Sequence, residues 1–175
     1  MTRDEKALLE RMEKSDFSLK NDQLIKLLQV YFKLVRQITH SDSLHANMCL
    51  EKLANIKALC VQLEGSHRDV DEARELYWKV IFEESFWKFE SFINYMEKDR
   101  PMQKKFYQPR SGTLKQVVDD LQALEDSKEQ KFYGLSMPSR TGKSTICIFF
   151  LTWVAFRKPN SHSAMGGHSG TLAKG

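Results

Sequence analysis

A helical N-terminal region followed by the start of an α/β domain, built on a parallel βαβ unit and truncated, is the fold class this sequence predicts. Three observations predict it. From the start to about Met96, apolar residues recur at three- and four-residue spacing. Pro101, Pro109, Ser111 and Gly112 then punctuate a short basic stretch. Beyond it, the apolar run Phe132 to Met137 leads through Gly142-Lys143-Ser144 into a long apolar-rich segment, the order strand, tight loop, helix. The expected division is 1–100 as a helical arm or bundle, 101–112 as a linker, and 113–175 as an incomplete P-loop NTPase domain.

Taken in order, Thr2 and Glu5 form a capping-box pair for a short first helix. Leu24, Leu27, Leu28, Tyr31, Leu34, Val35 and Ile38 make one stripe of an amphipathic second helix. A third, capped by Asp42 or Ser43, carries Leu50, Leu53, Ile56, Leu59, Cys60 and Leu63 and stops at Gly65. A longer one is expected from about Asp69 through Leu76, Val80, Phe86, Phe89, Ile93 and Met96, broken at Arg100-Pro101. Its aromatic density exceeds what one buried stripe needs, so core packing and a partner surface are both open roles. Short polar connections favour an antiparallel arrangement. A helix over Thr113 to Leu124 and a polar turn at Glu125 to Gln130 precede the first strand. After the loop, a helix from Lys143 to about Arg157 carries Ile146, Phe149, Phe150, Trp153 and Val154. Ser161 to Gly167 reads as a second strand parallel to the first, and Ser169-Gly170 as the opening of another helix.

The net charge of +4 is uneven: the balance is slightly acidic through Arg100, and the excess of Lys and Arg lies beyond it. Lys104, Lys105, Arg110, Arg140, Lys143, Arg157 and Lys158 suit a surface that meets phosphate, or simply a solvated basic face. Cys49, Cys60 and Cys147 are odd in number and far apart, which argues against a disulfide framework and for a reducing cytosol. The five histidines have no metal-ligand spacing. The polar N-terminus has no signal-peptide core, and the most apolar stretch, Ile146 to Phe156, is too short for a span of about 20 residues.

Met137-Pro138-Ser139-Arg140-Thr141-Gly142-Lys143-Ser144 is the passage that names a chemistry. Backbone N–H groups of such a loop and the helix N-terminus behind it form a cradle for an anion. Lys143 would reach the β- and γ-phosphates of ATP, and the Ser144 hydroxyl would hold Mg²⁺. Ser139, Arg140, Thr141, Gly142 and Thr145 complete the expected nucleotide contacts. Arg140, a guanidinium inside the loop, would add charge against the γ-phosphate in the transition state, or else point to solvent. Met137 stands where the G-x-x-x-x-G-K-[ST] consensus has its first glycine.

The run from Met137 to Thr145 resembles the deviant phosphate loop of large terminase subunits, the ATPases that package tailed-phage DNA. Phe106-Tyr107-Gln108-Pro109-Arg110 with Leu114 to Asp126 is similar to that family's lead-in helix. Trp153, Arg157, Pro159 and Gly167-His168-Ser169 resemble the segment after its loop, and Glu75 to Lys79 with Phe89 to Pro101 its pre-ATPase region. The resemblance covers roughly residues 75 to 175; Ser139 departs from a commoner proline. It implies Arg140 and Lys143 in catalysis and Ser144 on the metal. It also implies double-stranded DNA, a small terminase subunit and a portal as partners, and a homo-oligomer in the cytoplasm of a bacterial host. The acidic metal-binding strand, catalytic glutamate and nuclease of that family would lie further downstream, so this stretch alone is expected to be inactive. Two other readings stand beside it. One is another P-loop DNA motor, helicase-like or a recombination ATPase. The other is a helical interaction module in which Gly-Lys-Ser is incidental.

Overall fold

The computed structural model describes residues 24–41, 46–66, 70–127 and 132–160, with Arg3 and His162. Among these residues every regular element is helical, and no strand forms. The expected α/β fold is therefore corrected to an all-α one, with no βαβ unit among the described residues. Phe132 to Met137 is extended, with Tyr133, Leu135 and Met137 packed on a core and Phe132, Gly134 and Ser136 facing out. That alternation is what the sequence displays, but a strand also needs a ladder of backbone hydrogen bonds to a neighbour, and none forms among the described residues. The second expected strand and the helix after it lie outside the described residues except for His162, and so does the Thr2 helix except for the helical Arg3.

The chain divides into two compact units, Met1–Trp87 and Lys88–Gly175. The first contains α1 (Leu24–Ser41), α2 (Ala46–Gly65) and α3 (Val70–Ser85), with α2 against both others. Leu28, Tyr31, Phe32 and Val35 of α1, Leu53, Ile56, Cys60 and Leu63 of α2, and Ala73, Leu76 and Val80 of α3 form one buried cluster. Spacing by three and four is what brings each set onto one helix face. Two carboxylates near the end of α3 are buried with them, each held by a cation from another helix. The Arg36 Nε of α1 lies 2.7 Å from Glu83, and the Lys57 Nζ of α2 lies 2.6 Å from Glu84. Removing one partner of such a pair is costly because the other charge stays buried.

The long helix expected from Asp69 to Met96 is broken in two. The Ser85 hydroxyl donates to the Phe82 carbonyl at 2.6 Å, and the Trp87 N–H turns back to the Glu84 carbonyl at 2.9 Å. Local bonds of this kind compete with the helical ladder. Lys88 is extended (φ −114°, ψ 120°), and α4 (Phe89–Met96) starts afresh. Its first N–H, on Phe89, is accepted by Gln122 Oε1 at 2.7 Å, a cap supplied from a distant helix.

In the second unit, α4 is followed by two 3-10 turns, Met102–Lys104 and Gln108–Arg110, then α5 (Ser111–Asp126) and α6 (Lys143–Arg157). Both α4 and α5 carry apolar faces, and α4 packs on α5 and α6. Trp153 of α6 is fully buried against Phe89, with ring centroids 5.2 Å apart, and Phe150 meets Phe89 edge to face at 5.5 Å. Helix α6, expected to lie on a sheet, is thus buried on aromatic rings of another helix. At its end the Arg157 guanidinium sits 4.6 Å over Trp153 and pairs with Asp126 at 3.4 Å, and Lys158 pairs with Glu125 at 2.7 Å.

Trp153→Ala should remove about 3–5 kcal/mol from the second unit, read as a lower urea midpoint by far-UV dichroism. In the first unit, burial pushes the Cys60 thiol from 9.0 and the Tyr31 hydroxyl from 10.0 up to about 12. Raised values mean that the folded chain holds these protons more tightly than the unfolded one. Their contribution to stability is complete below about pH 9 and is lost as pH rises toward 12. The urea midpoint should therefore fall as pH rises from about 9 toward 12, and Cys60→Ala should flatten that slope.

Candidate functional site

Residues 137–145 join the extended segment to α6, and the local chemistry sets their shape. Met137, at the base, packs into the second core. The Tyr133 hydroxyl, four residues earlier, donates to Asp120 of α5 at 2.9 Å and ties the approach down. Ser139 and Arg140 make a tight turn in which Arg140 has φ +63°, a left-handed conformation uncommon outside glycine. The Thr141 hydroxyl donates to the Pro138 carbonyl at 2.7 Å across that turn. Gly142 is left-handed as well, at φ +96°, and caps α6: its carbonyl accepts the Ile146 N–H at 3.0 Å.

Gly142 is constrained twice over. A Cβ there would lie 2.2 Å from Cε2 of Phe106, and a side chain rarely tolerates that φ. Phe106 in turn stacks on Phe149 of α6, with centroids 6.1 Å apart and planes 18° apart. The glycine is thus required both by the turn and by the ring behind it.

The Lys143 ammonium, half-buried, folds back and donates to the Met137 carbonyl, spanning the base of the loop. No carboxylate among the described residues pairs with Lys143 or Arg140. Two cations therefore sit in one short loop at the positive end of a 15-residue helix. Ser139, Arg140 and Ser144 are exposed, and Thr141, Gly142 and Thr145 are half-buried. The seven residues singled out from the sequence are brought together in one loop and first helical turn. The arrangement can hold an anion through backbone N–H groups, an ammonium and a guanidinium. An exposed hydroxyl on Ser144 fits Mg²⁺ only as a complex with nucleotide phosphates, since that ion binds few protein ligands and keeps waters.

Behind the loop lies a carboxylate that the sequence did not mark. Glu97 is 1% exposed; its Oε1 accepts the Phe106 N–H at 2.7 Å and its Oε2 the Tyr107 N–H at 2.9 Å. The Tyr107 hydroxyl donates to Glu90 at 2.7 Å, and burial first, then this carboxylate, raises its pKa. Arg110 lies 5.6 Å over the Phe106 ring. Only the Phe106-Tyr107 pair in a basic, proline-bearing stretch hints at this in the sequence; the carboxylate nine residues upstream does not. In the first unit, a cleft of about 440 Å³ between α1 and α3 is bordered by Lys33, Arg36, Glu72, Glu75 and Lys79. Its charges offset one another, with Lys79 on Glu75 and Arg36 on Glu83, so it has no net call for an anion.

With this geometry in hand, comparison with protein families, curated proteins and solved structures finds no match. No helix among the described residues is long and apolar enough to cross a membrane.

Gly142→Ala should perturb the loop and lower the stability of the second unit by more than about 1 kcal/mol, because strain and clash act together. Gly65→Ala, with nothing within 4 Å of its new methyl, is the contrast and should be near neutral. Paired thermal melts check this.

Proposed function

We propose that this chain is a helical binding module whose second unit holds the phosphates of a nucleotide in the 137–145 loop, while the three-helix unit meets a protein partner. The observation that carries the phosphate part is Lys143. Its ammonium lies across the loop base on a carbonyl, with no carboxylate among the described residues to neutralise it. An anion entering the loop meets that charge, the Arg140 guanidinium and the exposed start of α6 at once. Helices in both units support the interaction part. In the first unit, cation–carboxylate pairs fix helix to helix, which supports a surface for another protein there.

The second reading, a helical interaction module with an incidental Gly-Lys-Ser, is favoured by the fold itself. A phosphate loop gains its alignment from the strand behind it, and here the segment in its place is extended and unpaired among the described residues. A place in a DNA-packaging motor, with Mg²⁺-ATP, double-stranded DNA, small terminase subunit and portal as partners, rests on motif resemblance alone. The helical fold adds nothing to it.

Titration of fluorescent ATP into the chain separates the readings. Binding weakened about tenfold or more by Lys143→Ala, the size of a lost charge-assisted contact, supports the phosphate loop. Arg140→Ala should weaken it less, since the arginine stands at the exposed tip. Turnover should be negligible, because in-line attack also needs a group to orient water and the loop presents cations only. No uptake of ATP, or uptake indifferent to Lys143, leaves the incidental reading.

A further inference from the structure

We infer that Glu97 is a positioning residue for the 137–142 loop, acting through Phe106; for function this rests on the phosphate-loop reading above. The chain of contacts is short. Glu97 is the C-cap of α4, buried to 1%, and both of its oxygens are used on the backbone N–H groups of consecutive residues, Phe106 and Tyr107. An ionised carboxylate accepts two such bonds at once, whereas an amide of the same shape accepts one and turns a donor against the other N–H.

Those two bonds fix where the Phe106 backbone sits. Its ring then has one course: over Phe149 on one side, under Arg110 on another, with its edge on Gly142. Arg110 also donates to the Phe106 carbonyl at 3.0 Å, and Tyr107 is held a second time through Glu90. A Cβ at 142 would lie 2.2 Å from that ring edge, so ring and left-handed glycine are fitted to each other. A carboxylate on α4 therefore sets the conformation of a loop it does not touch. Arg100 lies 3.5 Å from the same Glu97 oxygen and supplies the nearby positive charge that a buried carboxylate needs.

Amide hydrogen exchange of the full chain without ligand tests the coupling. Glu97→Gln should speed exchange at Ile146, whose N–H is held by the Gly142 carbonyl, by about tenfold, as expected for loss of a bond to a charged acceptor, and Phe106→Leu should reproduce it. Leu121→Ala is the control: it destabilises the same core, carries none of the hydrogen bonds to Glu97 or Phe106, and should leave Ile146 slow relative to the rest of the unit. Fluorescent ATP is titrated in parallel and should bind about tenfold more weakly to Glu97→Gln than to Leu121→Ala. Unchanged exchange at Ile146 in Glu97→Gln overturns the inference whatever ATP does, and so does an equal effect of Leu121→Ala. Faster exchange in a chain that takes up no ATP upholds the positioning role and removes the phosphate reading alone.

Discussion

The contact between Trp153 and Phe89 is what the second unit depends on. Helix α6 is apolar nearly all round, and such a helix must be covered. Among the described residues no sheet lies beneath it; α4 covers one side, where Phe89 and Phe92 meet Trp153 and Phe156, while Ile148 and Phe156 keep exposed area. Aromatic rings suit the task because each removes a large apolar area from water with few rotamers to freeze. Gln122 capping Phe89, the paired ends of α5 and α6, and the position of the 137–145 loop all follow once α4 lies against α6.

Buried carboxylates organise both units, in two different ways. Glu83 and Glu84 in the first unit are held by side-chain cations, so they tie helix to helix and specify which faces meet. Glu97 in the second is held mainly by backbone N–H groups, so it shapes a connection between helices. A charge taken out of water is tolerated in each case because an opposite charge or a set of N–H donors faces it. Apolar substitutes of similar size would keep the packing and lose the register.

Much of the helical layout was legible in the sequence. The α6 limits coincide with the Lys143 to Arg157 pattern, and α5 differs from expectation by two residues at either end, because periodicity and capping are local properties. The seven loop residues were legible for the same reason: the motif is contiguous. What was misread required a partner. Phe132 to Met137 alternates as a strand does, but alternation also suits an extended segment lying one-sided on a helical core. The break at Ser85–Lys88 was hidden because apolar residues continue through it at helical spacing, while a serine hydroxyl and a distant glutamine decide the matter. Glu97 carries no local signal in the sequence, since the two N–H groups it accepts from are nine and ten residues away.

Arg140 carries a consequence for the shape of the loop. A non-glycine residue in the left-handed region costs about 1 kcal/mol or more, and glycine at that place would remove the cost. The chain instead keeps a long cationic side chain on a backbone that resists its own shape. The fold itself holds that backbone, with the Thr141 hydroxyl bonded to the Pro138 carbonyl across the turn. The cost of the left-handed form is thus met on folding, and the guanidinium stands at the turn in a fixed backbone geometry.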